Sequence, residues 1–175
     1  MKIRNKIKNI FYFLLALYSS CKIIRLIKRN NEKLVYVLDI DNTLADTYHC
    51  YKHSFESYND RLSRLAIFLG MRLKYLKILE QNNNVFFMSA RRISSKETTL
   101  NWLLNNGINA NKQNVFSINN VKVKINILKF LTYFTKTKII FIDDLSYNHE
   151  NGETKYYKNQ INEISRLDII HINFK

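Results

Sequence analysis

Five short apolar runs punctuate the chain after residue 33, and between them apolar residues recur every third or fourth position. The runs are 34–38 (LVYVL), 85–88 (VFFM), 115–118 (VFSI), 138–142 (KIIFI) and 169–172 (IIHI). Each is rich in β-branched and aromatic residues and too short for a helix, so each is read as a strand. The segments between them predict helices. One covers 60–81, with Leu62, Leu65, Ala66, Leu69, Leu73, Leu76 and Leu79 at helical spacing. Another is opened by Ser94-Ser95-Lys96-Glu97, which has capping-box form, and is closed by Gly107. Two more cover 124–135 and 156–167. Strands that are apolar throughout, rather than alternating, belong to a sheet covered on both faces. The predicted fold is therefore α/β: a three-layer αβα domain over 31–175 with a mainly parallel five-stranded sheet.

Residues 1–30 have a different pattern. Ile3, Ile7, Ile10, Leu14, Leu17, Cys21 and Ile24 share one helical face, and the rest of the segment is basic, with no acid before Glu32. The spacing predicts an amphipathic helix preceding the domain. Its apolar run, 10–18, is shorter than the roughly 20 residues of a transmembrane span. Such a helix can lie in an anionic membrane interface. Packing on the domain, pairing in a homo-oligomer and removal as a signal peptide stay open, although the basic residues from Lys22 to Arg29 are unlike a cleavage region.

A hydrophobic fraction of 46% excludes a disordered chain, and 175 residues suffice for one domain with its own core. The formal net charge of +14 favours anionic partners, namely phosphorylated substrates, a membrane surface or nucleic acid, for which no binding motif is present. Cys21 and Cys50 fit neither a zinc pattern nor a disulfide framework. Free thiols point to a reducing, cytoplasmic setting, peripheral to the inner membrane face if the first helix binds lipid.

In a parallel α/β sheet, ligands bind beyond the carboxyl ends of the strands. Asp39-Ile40-Asp41-Asn42-Thr43 follows the first run, Ser89-Ala90-Arg91 the second and Asp143-Asp144 the fourth; Lys122 and Lys124 open the helix before the fourth. Clustered carboxylates repel unless a cation lies between them, and an all-oxygen donor set suits Mg²⁺. A carboxylate can attack phosphorus, a second carboxyl two residues on can transfer protons, and a lysine with a hydroxyl can hold phosphoryl oxygens.

LDIDNTLADT, FFMSAR and IIFIDD, in that order on strand ends, resemble motifs of the haloacid dehalogenase (HAD) superfamily of phosphohydrolases. The resemblance covers 34–175. It implies a HAD-like, Rossmann-like domain hydrolysing a phosphomonoester through an aspartyl-phosphate, with Mg²⁺ as cofactor. It makes Asp39 the nucleophile and a metal ligand, and Asp41 the acid/base whose carbonyl also reaches the metal. Asp143 and Asp144 complete the metal site. Ser89, Thr43, Asn42 and a lysine, Lys124 in preference to Lys122, take the phosphoryl group. Arg91 is a candidate for a second anionic group of the substrate, and Asp46 an anchor of the loop. His49, His53 and His149 are read as loop or surface residues. Asn42 replaces the family's usual glycine. The segment 48–59, with Tyr48, Tyr51 and Phe55, has room for a flap and not for a cap domain, which leaves an open site. A nucleic-acid end phosphatase and a non-catalytic scaffold are the alternatives.

Overall fold

A computed structural model describes residues 2–52, 54–81, 84–145, 148–150, 153–155 and 157–173. His53 lies outside the described residues, as do the side chains of Tyr51 and His149.

All five predicted strands form one parallel sheet. They are β1 (Leu34–Leu38), β4 (Asn84–Ser89), β5 (Val115–Ser117), β6 (Lys138–Asp143) and β9 (Ile169–Asn173), in spatial order β5-β4-β1-β6-β9. Successive residues of a strand point to opposite faces. Val35, Val37, Phe86, Met88, Ile139 and Phe141 accordingly enter one core, and Leu38, Val85, Phe87 and Ile142 the other. The first core is covered by α1 (Lys2–Asn30), α5 (Val121–Phe134) and α6 (Lys158–Ile164), the second by α2 (Tyr58–Ser63), α3 (Leu69–Glu80) and α4 (Lys96–Asn105).

The helix predicted over 60–81 is broken in two. Arg64 caps α2, and the chain then extends so that β3 (Ala66–Ile67) pairs antiparallel with β2 (Ala45–Asp46). The Phe68 N–H donates to the Leu44 carbonyl at 2.8 Å, and the Leu65 carbonyl accepts from Trp102 Nε1 at 2.9 Å. These tertiary hydrogen bonds override a helical periodicity that runs unbroken through Leu65 and Ala66.

Two helix starts also differ from expectation. The capping box before α4 does not form: the N-cap is Ser95, whose side chain makes no capping hydrogen bond, and Ile93–Ser95 is a 3₁₀ turn held by Asn119 Oδ1 on the Ile93 N–H at 2.8 Å. Helix α5 begins at Val121, three residues before expectation, because Asn120 Oδ1 caps the Lys122 N–H at 2.7 Å. At the far end of α4, Gly107 adopts φ +72°, with its N–H on Leu104 O and the Ile108 N–H on Leu103 O. Gly107→Ala is expected to cost about 1–2 kcal/mol in urea unfolding, because an L-residue is strained at that angle. The polar stretch after β6 contains a hairpin of β7 (Asn148–Glu150) and β8 (Glu153–Lys155).

Helix α1 is long and apolar enough to cross a membrane by length and composition, with mean hydropathy 1.7 over 18 residues. Its core-facing stripe is Ala16, Ser20, Ile23 and Ile27, packed beside α5. The apolar face predicted from the sequence is a different one: Ile7, Ile10, Leu14 and Leu17 are exposed.

Candidate active site

The site is assembled by the three central strands. Leu38 pairs with Ile142 of β6 and with Phe87 of β4, so the residues just beyond these pairs leave the sheet at the same edge. The Asp39 N–H still donates to the Ile142 carbonyl at 2.9 Å, which places Asp39 beside Asp143. Carboxylate oxygens of Asp39, Asp143 and Asp144 lie within 4.8 Å of one another, and all three residues are buried. Residues 104 apart in sequence, Asp39 and Asp143, thus meet as the strand-end rule requires.

Lys124 enters this cluster from the first turn of α5, its Nζ 2.7 Å from Asp39 Oδ1 and 2.7 Å from Asp143 Oδ2. It is buried, whereas Lys122 is exposed. The structure therefore brings Lys124, and not Lys122, to the acids. Burial penalises the ammonium, but the adjacent Asp143 and Asp39 outweigh that and raise its pKa. Three carboxylates against one ammonium leave two uncompensated negative charges, the charge of one divalent cation. Among the described residues, the buried Asp143 Oδ1 and both Asp144 oxygens have no hydrogen-bond partner on another residue, where buried oxygens ordinarily have partners. An all-oxygen set of this kind fits a hard cation such as Mg²⁺.

Without a cation the cluster retains protons. Burial pushes the Asp39 carboxyl up to about 8 against the attraction of Lys124, and burial with the nearby Asp39 and Asp143 pushes Asp144 up to about 9. A carboxyl whose pKa is raised on folding holds a proton that the unfolded chain has already released. Stability of the metal-free protein should therefore fall as pH rises from the ordinary value of 3.8 to about 8. The expected result is a urea midpoint that declines over this window more steeply than in Asp39→Asn and is restored by added Mg²⁺. Parallel slopes for the two proteins would contradict it.

Asp41 lies apart from the triad and is held by a second cation. Arg91 clamps it with Nε at 3.0 Å and Nη2 at 2.8 Å from Oδ1, while Nη1 donates to Thr99 Oγ1 at 3.2 Å. Ser89 Oγ donates to Asp41 Oδ2 at 2.7 Å and accepts from the Arg91 N–H at 3.1 Å. Burial by itself would raise the Asp41 carboxyl, but Arg91, and after it Ser89, hold it below the ordinary value. Arg91 is thus buried and committed to Asp41, an arrangement for which the sequence carries no signal beyond the proximity of FFMSAR to a strand end.

The loop after β1 is set by Asn42 at φ 54°, a conformation that asparagine tolerates. Its Oδ1 accepts from Thr47 Oγ1 at 2.6 Å and from the Tyr48 N–H at 3.1 Å, so this oxygen organises the loop. Thr43 is fully buried, and its Oγ1 has no hydrogen-bond partner among the described residues. Asp46 accepts from the His49 N–H at 3.0 Å and pairs with exposed His49 Nδ1 at 2.6 Å, which pins the loop. Tyr58, on α2, is a site neighbour not singled out in the sequence. Burial raises its phenol, as does the charge of Asp41, and Arg92 lies over its ring at 4.7 Å.

Compared with models of known families, with curated proteins and with solved structures, the chain has no match in any of the three. Fold and site together define a parallel α/β domain with a buried acidic group able to hold a metal ion.

Proposed function

We propose that this protein is a Mg²⁺-dependent phosphomonoesterase of HAD type, working through an aspartyl-phosphate on Asp39. The observation that supports this reading most is the convergence of Asp39, Asp143 and Asp144 with Lys124, with buried oxygens of Asp143 and Asp144 that have no hydrogen-bond partner on another described residue. Asp39, Asp143, Asp144 and the Asp41 carbonyl would hold Mg²⁺. When bound, it neutralises phosphoryl oxygens and lets anionic substrate approach the acids.

In this mechanism an Asp39 oxygen attacks phosphorus, and the bond from phosphorus to the leaving oxygen breaks. Asp41, which Arg91 holds ionised in the free protein, takes up a proton from solvent when substrate binds and passes it to that oxygen. Water then attacks the phosphorus of the acyl phosphate, Asp41 takes the water's proton, and the bond to Asp39 breaks, releasing inorganic phosphate and restoring the carboxylate. Lys124 orients Asp39 throughout and presents positive charge to the transferring group. Ser89 and Arg91 fix the Asp41 carboxyl, and Arg91 favours its ionised form, the one that accepts the water proton.

The test is hydrolysis of an aryl phosphate by the full chain. Turnover is expected with Mg²⁺, to be lost on chelation and to return when Mg²⁺ is restored. Turnover that is unchanged by chelation would overturn the proposal.

A further inference from the structure

Helix α1 presents two apolar stripes to two different surroundings. The stripe of Ala16, Ile23 and Ile27 is buried in the core. The second lies about one residue step, roughly 100°, round the helix. It runs through Ile10, Phe13, Leu14 and Leu17, which are 59%, 51%, 55% and 38% exposed. Along the same line toward the carboxyl end the helix becomes basic, with Arg25 and Lys28, and Arg29 beside them. Residues 1–31 contain no acid.

Helix α5 extends this surface. Tyr133 and Phe134 are 85% and 54% exposed. The Phe13 ring meets the Phe130 ring edge-on at 6.1 Å, and Phe130 stacks on Phe134 at 6.2 Å. Between the helices a groove of about 690 Å³ is lined by Leu17, Ile24, Phe130 and Phe134 together with Arg25, Lys28 and Arg29. Contiguous exposed apolar surface of this kind is uncommon on a monomer. Large apolar side chains next to a cationic band match the acyl boundary and the headgroups of an anionic bilayer.

We propose that α1 and the end of α5 together form a docking face that seats the protein on an anionic membrane, with α1 lying in the plane of the interface. The in-plane orientation follows from the buried stripe. Threading α1 across the bilayer would strip Ile23 and Ile27 from the core, whereas in-plane docking leaves them packed and uses only the stripe that is already exposed. The proposal is independent of the phosphatase reading. It also differs from a free amphipathic tail in requiring residues more than 100 positions further along the chain.

The experiment is flotation of the full chain with phosphatidylcholine vesicles, with and without phosphatidylglycerol. Binding is expected only with phosphatidylglycerol, and salt should weaken it. Replacing Arg25, Lys28 and Arg29 together by Gln should weaken binding about a hundredfold, since each charge contributes near an anionic surface. Tyr133→Ser with Phe134→Ser should weaken it about tenfold, with the circular dichroism spectrum unchanged because both side chains are exposed. Equal binding to both vesicle types, or binding untouched by the α5 double variant, would overturn the proposal. So would absence of vesicle binding together with a dimer that the double variant dissociates, since a second copy would then cover the face.

Discussion

Asp39→Asn is expected to lower turnover of an aryl phosphate by roughly a thousandfold or more while leaving the protein folded, the scale at which removal of a nucleophile is felt. The amide cannot form an acyl phosphate, yet it is close in size to the carboxylate and replaces one of three crowded acids. Stability and activity should therefore part company. At neutral pH and without metal, the variant should unfold at a urea concentration equal to or above that of the parent, because the desolvation that pushes Asp39 up to about 8 no longer acts. Stabilisation by Mg²⁺ should shrink, because one ligand has lost its charge. Rapid quench with labelled substrate should trap an acid-stable, base-labile phosphoprotein from the parent and none from the variant. Turnover that survives in Asp39→Asn would remove the covalent mechanism but leave the metal site to be judged by its own stability shift.

The sheet was legible because its strands are apolar on both faces. A run such as KIIFI has no polar side to present to water, so it must be central, and the residues that follow it must leave at the carboxyl edge. That reasoning alone brings Asp39, Ser89 and Asp143 to one edge. Of the features that were not legible, three have a plain physical reason. Leu65 and Ala66 satisfy helical spacing and extended pairing equally well, and only the hydrogen bonds offered by Leu44 and Trp102 decide between them. Helix α1 carries two apolar stripes, and periodicity finds the more regular one without showing which stripe meets the core; here the core takes the less obvious stripe, with Ser20 hydrogen-bonded to Ala16 O within it. The clamp of Arg91 on Asp41 joins residues 50 apart through side-chain geometry, which leaves no spacing pattern in the chain. The sequence offers Arg91 as a candidate for a second anionic group of the substrate; the structure buries it against the Asp41 carboxylate.

Lys124→Met is expected to be the most destabilising single change at the site, by about 3–5 kcal/mol at neutral pH, the cost of breaking a buried ion pair by removing one partner. The lysine bridges Asp39 and Asp143, and its loss leaves three buried acids with no cation among them, so that ionising any one of them becomes costly. Methionine fills the space of the side chain, so the effect is one of charge and not of a cavity. Two comparisons isolate it. Lys122→Met, two residues away on the same helix, should shift stability by no more than about 0.5 kcal/mol, because that side chain is exposed and the helix cap uses only its backbone N–H. Lys124→Arg should fail to restore the parent, because a planar guanidinium cannot serve as a compact point charge between two carboxylates each 2.7 Å away. Mg²⁺ should recover more stability in Lys124→Met than it adds to the parent, since the variant's cluster has one further negative charge to neutralise, while turnover stays low because no ammonium faces the transferring group. Urea unfolding of the four proteins with and without Mg²⁺ measures all of this. If Lys124→Met and Lys122→Met were equally stable, the lysine would not be holding the acids together, and the charge balance that makes room for a single divalent cation would have to be abandoned.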